Sequence, residues 1–125
     1  MNLQTIRLLL DYKADPNHLY NGKSMLSYAA QTGCFQAIKM LIDAGANTHI
    51  GRPQPLETVI HFGGRECLAA LLDGHMSDLL VPINGALPIE IALEAETTLL
   101  SVIAVYTKRE IDKTKKNGGQ NSNID

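Results

Sequence analysis

The apolar residues of this chain recur at a helical period within short segments, and turn-forming residues separate these segments. The pattern predicts one helix over residues 2–11, a second over 25–32 and a third over 35–43. Later helices are expected to begin near Pro55 and Pro88, because proline fits the first turn of a helix, where its missing N–H would have no partner. A last helix is expected over residues 97–107, which are apolar on most faces. The pattern therefore favours an all-α protein built from short helices.

Short polar sequences indicate where the first helices begin and end. Ser24 is a suitable N-cap for the helix over residues 25–32, and Gly33 ends that helix. Asp15-Pro16-Asn17 and Asn21-Gly22 are turn-forming sequences that predict a hairpin-like loop ahead of it. The predicted unit is a hairpin-like loop, a short helix, a tight turn and a second helix.

This unit recurs along the chain in weaker form. The segment from Gly22 to Ala46 has counterparts 30 residues later, and a third copy starts at Gly85. Residues 6–15 match residues 38–47 at a spacing of 32. A unit of this size cannot bury its apolar face alone, so the units are expected to stack on one another. The seam between them is predicted to contain Ile38, Leu41, Leu68 and Leu71.

These residues resemble the ankyrin repeat. The family pattern runs Gly-x-Thr-Pro-Leu-His-x-Ala-Ala-x-x-Gly, then an aliphatic second helix and Gly-Ala-Asp-x-Asn. The matching positions are Gly22, Ser24, Leu26, Ala29, Ala30, Gly33, Ile38, Leu41, Gly45, Ala46 and Asn47. The chain departs from the pattern at the family's histidine, which is replaced by Ser27, Glu57 and Glu90, and at the turn glycine of the last unit, replaced by Glu96. The resemblance implies an ankyrin-like helical solenoid of stacked helix-turn-helix units with hairpin-like loops.

One repeat domain is predicted over residues 1–116, followed by a disordered polar tail over residues 117–125. The domain divides into a partial unit over residues 1–17 and units over 18–50, 51–80 and 81–107, the last with a C-terminal helix extension. The partial unit has a second helix but no first helix. Three interpretations of it remain open: a fragment of a longer array, a degenerate cap with Gln4, Arg7 and Asp11 facing water, or a dimer interface.

Composition narrows the classes of partner and compartment. Aromatic residues make up 5% of the chain and tryptophan is absent, so the core must be aliphatic. A net charge of −2 does not favour nucleic acid, and no apolar run reaches the roughly 18 residues that span a bilayer. The two cysteines, Cys34 and Cys67, form no paired motif, which indicates free thiols in a reducing, cytoplasmic compartment, with a secreted bacterial effector as the alternative.

No catalytic, cofactor or metal site is predicted. The cysteines and histidines fall in no recognisable catalytic motif, and Gly63-Gly64-Arg65 is interpreted as a helix–helix turn. His18 and His49 are one repeat apart but lack a third ligand for zinc. The basic residues between 108 and 116 are interrupted by acidic ones and are interpreted as a solvated helix end. The chain is therefore predicted not to be an enzyme.

The resemblance implies a protein–protein interaction module that binds a partner protein through its hairpin tips and concave helix face. The alternative is a regulatory or targeting segment of a larger protein, for example a secreted effector, whose activity lies outside this chain. A monomer is the expected state, with a dimer through the N-terminal helix as the alternative. Tyr20 and Phe62 are predicted anchors, since exposed aromatic residues often dominate binding. The predicted partner-binding residues are His18, Tyr20, Asn21, Lys23, Gln31, Thr32, Arg52, His61, Phe62, Asn84 and Glu94.

Overall fold

The computed structural model of the chain describes residues 2–123, with side chains described for residues 2–116. Its strands are β1 (Leu19–Tyr20) and β2 (Lys23–Ser24), which pair antiparallel with Leu19 opposite Ser24. A 3-10 helix spans Met76–Leu80. The α-helices are α1 (Leu3–Asp11), α2 (Met25–Gln31), α3 (Phe35–Asp43), α4 (Pro55–Phe62), α5 (Arg65–Leu72), α6 (Pro88–Ala95) and α7 (Leu100–Asn123).

The helices form two rows that run along the stack. In the inner row, α2 packs on α4 and α4 packs on α6. In the outer row, α1 packs on α3 and α3 packs on α5, while α7 packs on the 3-10 helix. Within each unit an inner helix contacts the outer helix that follows it, as α2 does with α3. The predicted all-α solenoid of stacked helix-turn-helix units with hairpin-like loops is therefore confirmed.

The caps and turns that the sequence predicts hold the short helices in place. The Ser24 hydroxyl accepts a hydrogen bond from the Ser27 backbone N–H at 3.2 Å, which caps α2. Gly33 follows α2 with φ +75°, and Glu96 holds the equivalent place after α6 with φ +51°. The left-handed conformation costs a residue with a side chain about 1–2 kcal/mol. The last unit thus keeps the turn geometry although its glycine is replaced.

Aliphatic side chains from both rows form one continuous core. The four residues predicted for the seam, Ile38, Leu41, Leu68 and Leu71, are all buried. The inner helices bury a pair of adjacent residues, Ala29-Ala30 in α2 and Val59-Ile60 in α4. The equivalent pair in α6 is split, because Ala92 is buried whereas Leu93 is exposed at the last end of the stack.

Two elements differ from the sequence-based expectation. The helix predicted to begin at Thr97 begins at Leu100 instead, because the Thr97 hydroxyl accepts the Leu99 backbone N–H at 3.3 Å in a turn before the helix. The 3-10 helix was not predicted. The tail predicted for residues 117–125 overlaps the last turns of α7, which reaches Asn123, while the side chains after residue 116 and all of residues 124–125 lie outside the described part. That tail and the unit boundaries stay predictions.

Polar bonds connect neighbouring units at three places near their loops. The Arg52 backbone N–H donates to the Gly22 carbonyl at 2.9 Å, which joins the second loop tip to the third. The Asn17 side-chain oxygen accepts the Asn47 N–H at 2.6 Å. The buried Ser27 hydroxyl donates to the Pro53 carbonyl at 3.2 Å. Ser27 therefore connects two units from the position that histidine occupies in the family pattern.

In the next two units a glutamate stands at this histidine position, and it caps its own helix instead of bonding to a neighbouring unit. The Glu57 carboxylate accepts the backbone N–H of Gln54 at 3.1 Å, and that of Glu90 accepts the Leu87 N–H at 2.9 Å. Each glutamate thereby satisfies the N-terminus of its own helix, as in a capping box. In α2, Ser24 already caps the helix, so Ser27 is left to bond across the unit boundary.

Replacing Ser27 by alanine is expected to lower the free energy of unfolding by about 0.5–1.5 kcal/mol, because the hydrogen bond from the Ser27 hydroxyl to the Pro53 carbonyl of the next unit would be lost. Urea titration followed by circular dichroism measures the change. Ser101→Ala, at an exposed position of α7, is the matched control and should shift the midpoint little. An equal midpoint for Ser27→Ala and Ser101→Ala would contradict a stabilising role for this bond.

Candidate functional site

The structure places the eleven predicted partner-binding residues in two sets. One set lies at the loop tips and the other at the exposed ends of the inner helices. Every one of them is exposed except Lys23, which is half-buried. The loop set is His18, Tyr20, Asn21, Lys23, Arg52 and Asn84, and the helix set is Gln31, Thr32, His61, Phe62 and Glu94.

Two Asn-Gly turns shape the loop tips. Asn21 and Gly22 both have positive φ, +53° and +78°, and they connect β1 to β2. Asn84 and Gly85 repeat these values at +53° and +86° in the last unit, between the paired residues Ile83 and Ala86. Successive positive φ angles are what a two-residue hairpin turn requires, and Asn-Gly meets that requirement best. The side chains of Asn21 and Asn84 therefore project from rigid turns.

Tyr20 belongs to a small cluster that joins the hairpin to α2. The Tyr20 and Tyr28 ring centroids are 6.4 Å apart, and the Tyr28 hydroxyl donates to the Tyr20 carbonyl at 3.3 Å. The Lys23 ammonium lies 4.9 Å from the centre of the Tyr28 ring and donates to the Gln31 side-chain oxygen at 2.6 Å. Tyr20 nevertheless remains 63% exposed. These four residues, Tyr20, Lys23, Tyr28 and Gln31, are called the tyrosine cluster below.

Tyr28 is the member of this cluster that the sequence-based prediction missed. Its position carried a usable signal, because Ala29 and Ala30 are buried in α2 while Tyr28 and Gln31 are three residues apart on the same helical face. A large aromatic residue beside two buried alanines must point away from the closely packed face. The sequence pattern does not reveal how the hairpin folds over α2, and it is this placement that brings Tyr20 and Lys23 next to Tyr28.

The end of α4 carries the second aromatic group. Phe62 is 64% exposed, and its ring centroid lies 6.1 Å from that of His61. The His61 Nδ1 atom is 2.9 Å from the Glu57 carbonyl oxygen, which can only accept, so this nitrogen donates. The bond fixes the orientation of the imidazole at the surface. Phe62 is therefore an exposed side chain rather than one packed against the next unit.

The inner helices present equivalent positions side by side. Gln31, His61 and Glu94 lie at the same distance along the sequence from the N-caps of α2, α4 and α6. Because these helices pack in order, the three side chains form a row of an amide, an imidazole and a carboxylate across the stack. Thr32, Phe62 and Ala95 form the next row in the same way.

Within residues 2–116, the remaining reactive side chains do not assemble into a chemical site. Burial raises the pKa of the Cys67 thiol, which disfavours the thiolate that a nucleophile needs. His49 contacts Asp78, with Nε2 3.2 Å from the carboxylate oxygen. Gly63 and Gly64 form the turn between α4 and α5, and the basic end of α7 contains the ion pairs Lys108–Asp112 and Lys113–Glu110.

Among the residues that the structure describes, no group of three or more His, Cys, Asp or Glu side chains is arranged to hold a metal ion. None of the helices in that part of the chain combines the length and the apolar character needed to cross a membrane.

Comparison with known protein families assigns part of the chain. A family model described as ankyrin repeats (many copies) matches residues 2–42, which cover α1, the β1–β2 hairpin, α2 and most of α3. No curated protein matches the chain significantly. The matched residues contain the tyrosine cluster and the Asn21-Gly22 turn.

Proposed function

We propose that this chain, whose residues 2–42 match the ankyrin-repeat family, binds another protein through its loop tips and the exposed ends of its inner helices. Ankyrin repeats are generally protein–protein interaction modules and are typically non-catalytic. The observation that carries the proposal is the exposure of two aromatic side chains, Tyr20 and Phe62, at 63% and 64%. Both belong to the middle units, at the predicted surface.

The contacts support binding by a surface whose side chains are already held in place before the partner arrives. Tyr20 is held by the Tyr28 hydroxyl, and Lys23 is held by Gln31. The tip itself is joined to the following unit through the Arg52–Gly22 backbone bond. Side chains that are already ordered lose less conformational entropy when a partner binds. The surface can therefore use most of its contact energy for affinity.

The chemistry of the surface indicates what kind of partner segment suits it. Phe62 and Tyr20 offer apolar area, whereas Gln31, His61 and Glu94 offer hydrogen-bonding groups in a row. Lys23 and Arg52 add positive charge near the tips, and Glu94 adds negative charge at the far end of the row. An extended or helical segment with apolar side chains beside polar ones, acidic at the tip end, would complement this arrangement.

Tyr20→Ala and Phe62→Ala are each expected to weaken partner binding roughly tenfold or more, since truncated aromatic anchors typically cost 1–2 kcal/mol or above. Affinity capture with quantitative mass spectrometry compares the wild-type chain with each variant. Tyr12→Ala is the matched control, because Tyr12 is also an exposed aromatic residue, at 79%, but lies beyond the end of α1.

The expected result is a set of proteins retained by the wild type and by Tyr12→Ala and lost with the other two variants. Thermal melts of all three variants should stay close to the wild type, because the rings they remove are exposed. Equal retention by all variants would overturn the proposed surface. A large loss of thermal stability in both Tyr20→Ala and Phe62→Ala would make these residues structural instead.

A further inference from the structure

Two basic residues meet where the loop tips of the middle units touch. Lys23 belongs to β2, and Arg52 belongs to the loop before α4. The Arg52 backbone N–H donates to the Gly22 carbonyl at 2.9 Å. A side chain at Gly51 would come within 3.0 Å of the Ser24 backbone nitrogen, so the loop lies directly against the hairpin. Because Lys23 stands between Gly22 and Ser24, both basic residues belong to one junction between units, called the basic junction below.

The ammonium of Lys23 is held in place by neutral groups. It donates to the Gln31 side-chain oxygen at 2.6 Å and lies 4.9 Å from the centre of the Tyr28 ring. Neither neighbour carries a formal negative charge. An ammonium has three N–H donors, and the bond to Gln31 uses one of them. Lys23 is therefore ordered while its charge and two of its donors remain available to a partner.

The acidic residues near the basic junction are few and do not pair with it. None of the ion pairs among residues 2–116 includes Lys23 or Arg52. Residues 16–54 contain a single acidic residue, Asp43, which ends the outer helix α3. Glu57, the next one along the chain, accepts the Gln54 backbone N–H at the start of α4. The described part of the chain thus leaves the positive charge of the basic junction without a carboxylate partner.

We propose that the basic junction binds an acidic segment of the partner protein, whose carboxylate pairs with Lys23 and Arg52 while an adjacent apolar side chain packs on the exposed Tyr20. This inference rests on the function proposed above and specifies the chemistry of the partner at the same surface. Ammonium and guanidinium groups form their strongest hydrogen bonds with ionised acceptors such as carboxylates. In the last unit, residues 81–96 contain three acidic residues and no basic one. An acidic segment is therefore attracted to the middle units and repelled from α6.

Random dodecapeptides displayed on phage and selected on the full chain supply the probes. Enriched peptides should contain aspartate or glutamate beside an apolar residue, and Tyr20→Ala should weaken their binding. Each peptide is then synthesised with a fluorescent label and titrated by anisotropy. Lys23→Gln and Arg52→Gln should each weaken binding about five- to tenfold, because each removes one of the two charges that meet the carboxylate. The wild-type affinity should also fall between about 50 and 300 mM NaCl, and that of the double variant should fall less, because salt screens opposite charges.

Matched controls remove the same charge outside the basic junction. Lys39→Gln is the control for Lys23→Gln, because Lys39 is exposed on α3 and also lies over an aromatic ring, 5.4 Å from the centre of Phe35. Arg65→Gln, at an exposed position of α5, is the control for Arg52→Gln. Arg52 is itself exposed, so its variant should melt like the wild type and keep the test valid if Lys23→Gln loosens the fold.

A charge exchange separates direct contact from a structural role of the lysine. Lys23→Glu should abolish binding of an acidic peptide, and a lysine in place of the acidic residue of that peptide should restore part of it. A lysine that only supports the hairpin would give no such recovery. A peptide with phosphoserine in place of its acidic residue should bind no more tightly than the original. A gain of roughly tenfold or more would overturn the carboxylate proposal and assign the basic junction to a phosphopeptide.

The possible failures of this inference and of the proposed function are distinct. Peptides that depend on Tyr20 but lack acidic residues would overturn the acidic partner and leave the binding surface in place. Equal weakening by Lys23→Gln and Lys39→Gln would do the same. Peptides that bind Tyr20→Ala and Phe62→Ala as tightly as the wild type, or a selection that enriches no peptide, would overturn both proposals.

Discussion

Ile38→Ala is expected to lower the free energy of unfolding by about 2–5 kcal/mol. Ile38 lies in α3, is fully buried, and belongs to the seam where α3 packs on α5. Truncation removes apolar contacts and leaves a cavity that the surrounding helices can only partly close. Because domains of this size are stable by about 5–15 kcal/mol, one such cavity removes a large part of the total. Urea titration followed by circular dichroism provides the measurement.

A graded series makes this prediction specific to packing. Ile38→Val removes one methylene and should cost only about 0.5–1.5 kcal/mol. Lys39→Ala changes the next residue of α3, which is exposed, and should change stability little. A midpoint for Ile38→Ala that matches the midpoint for Lys39→Ala would show that the seam does not hold the units together.

Ile103→Ala should cost a similar amount, about 2–5 kcal/mol, but the damage should remain at one end of the molecule. Ile103 is fully buried in α7, which packs on α6 and on the 3-10 helix Met76–Leu80. In a linear array each unit is stabilised by its immediate neighbours. Amide hydrogen exchange should therefore accelerate in α6 and α7 and remain slow in α2 and α3.

Val105→Ala provides the control on the same helix, because Val105 is 48% exposed and its truncation leaves no buried cavity. It should change exchange in α6 very little. A uniform acceleration across all helices in Ile103→Ala would contradict the local picture, since it would mean that the chain opens as one unit. Unchanged exchange in α7 would instead show that this helix does not contribute to the stack.

Helix boundaries were predictable where turn chemistry and periodicity agree. The third helix, Phe35–Asp43, has the bounds expected from its apolar period. Pro55 and Pro88 are the first residues of α4 and α6, as expected from their missing N–H. The start of α7 was missed, because the turn before Leu100 depends on one hydroxyl hydrogen bond that periodicity cannot reveal.

The sequence predicts which site residues lie at the surface, but it does not predict which residues they contact. The repeat register placed Tyr20 and Phe62 at the surface, and both are exposed. The pairing of Tyr20 with Tyr28 depends on how the hairpin folds over α2, which no local pattern encodes. The bond from Ser27 to Pro53 is a similar case. It crosses a unit boundary, and its existence depends on Ser24 having already capped α2.

The two uncovered ends of the stack also bear on when a partner can bind. Leu9 at the first end and Leu93 at the last are exposed among the described residues, whereas their equivalents Leu41 and Ile60 are buried, so brief openings of this part of the fold should start there and spread inward. Tyr20 and Phe62 belong to the units that have neighbours on both sides. The surface that we propose would stay assembled in molecules whose ends are frayed. Because such a partner would bind only the folded middle units, it would stabilise them and delay complete unfolding of the stack.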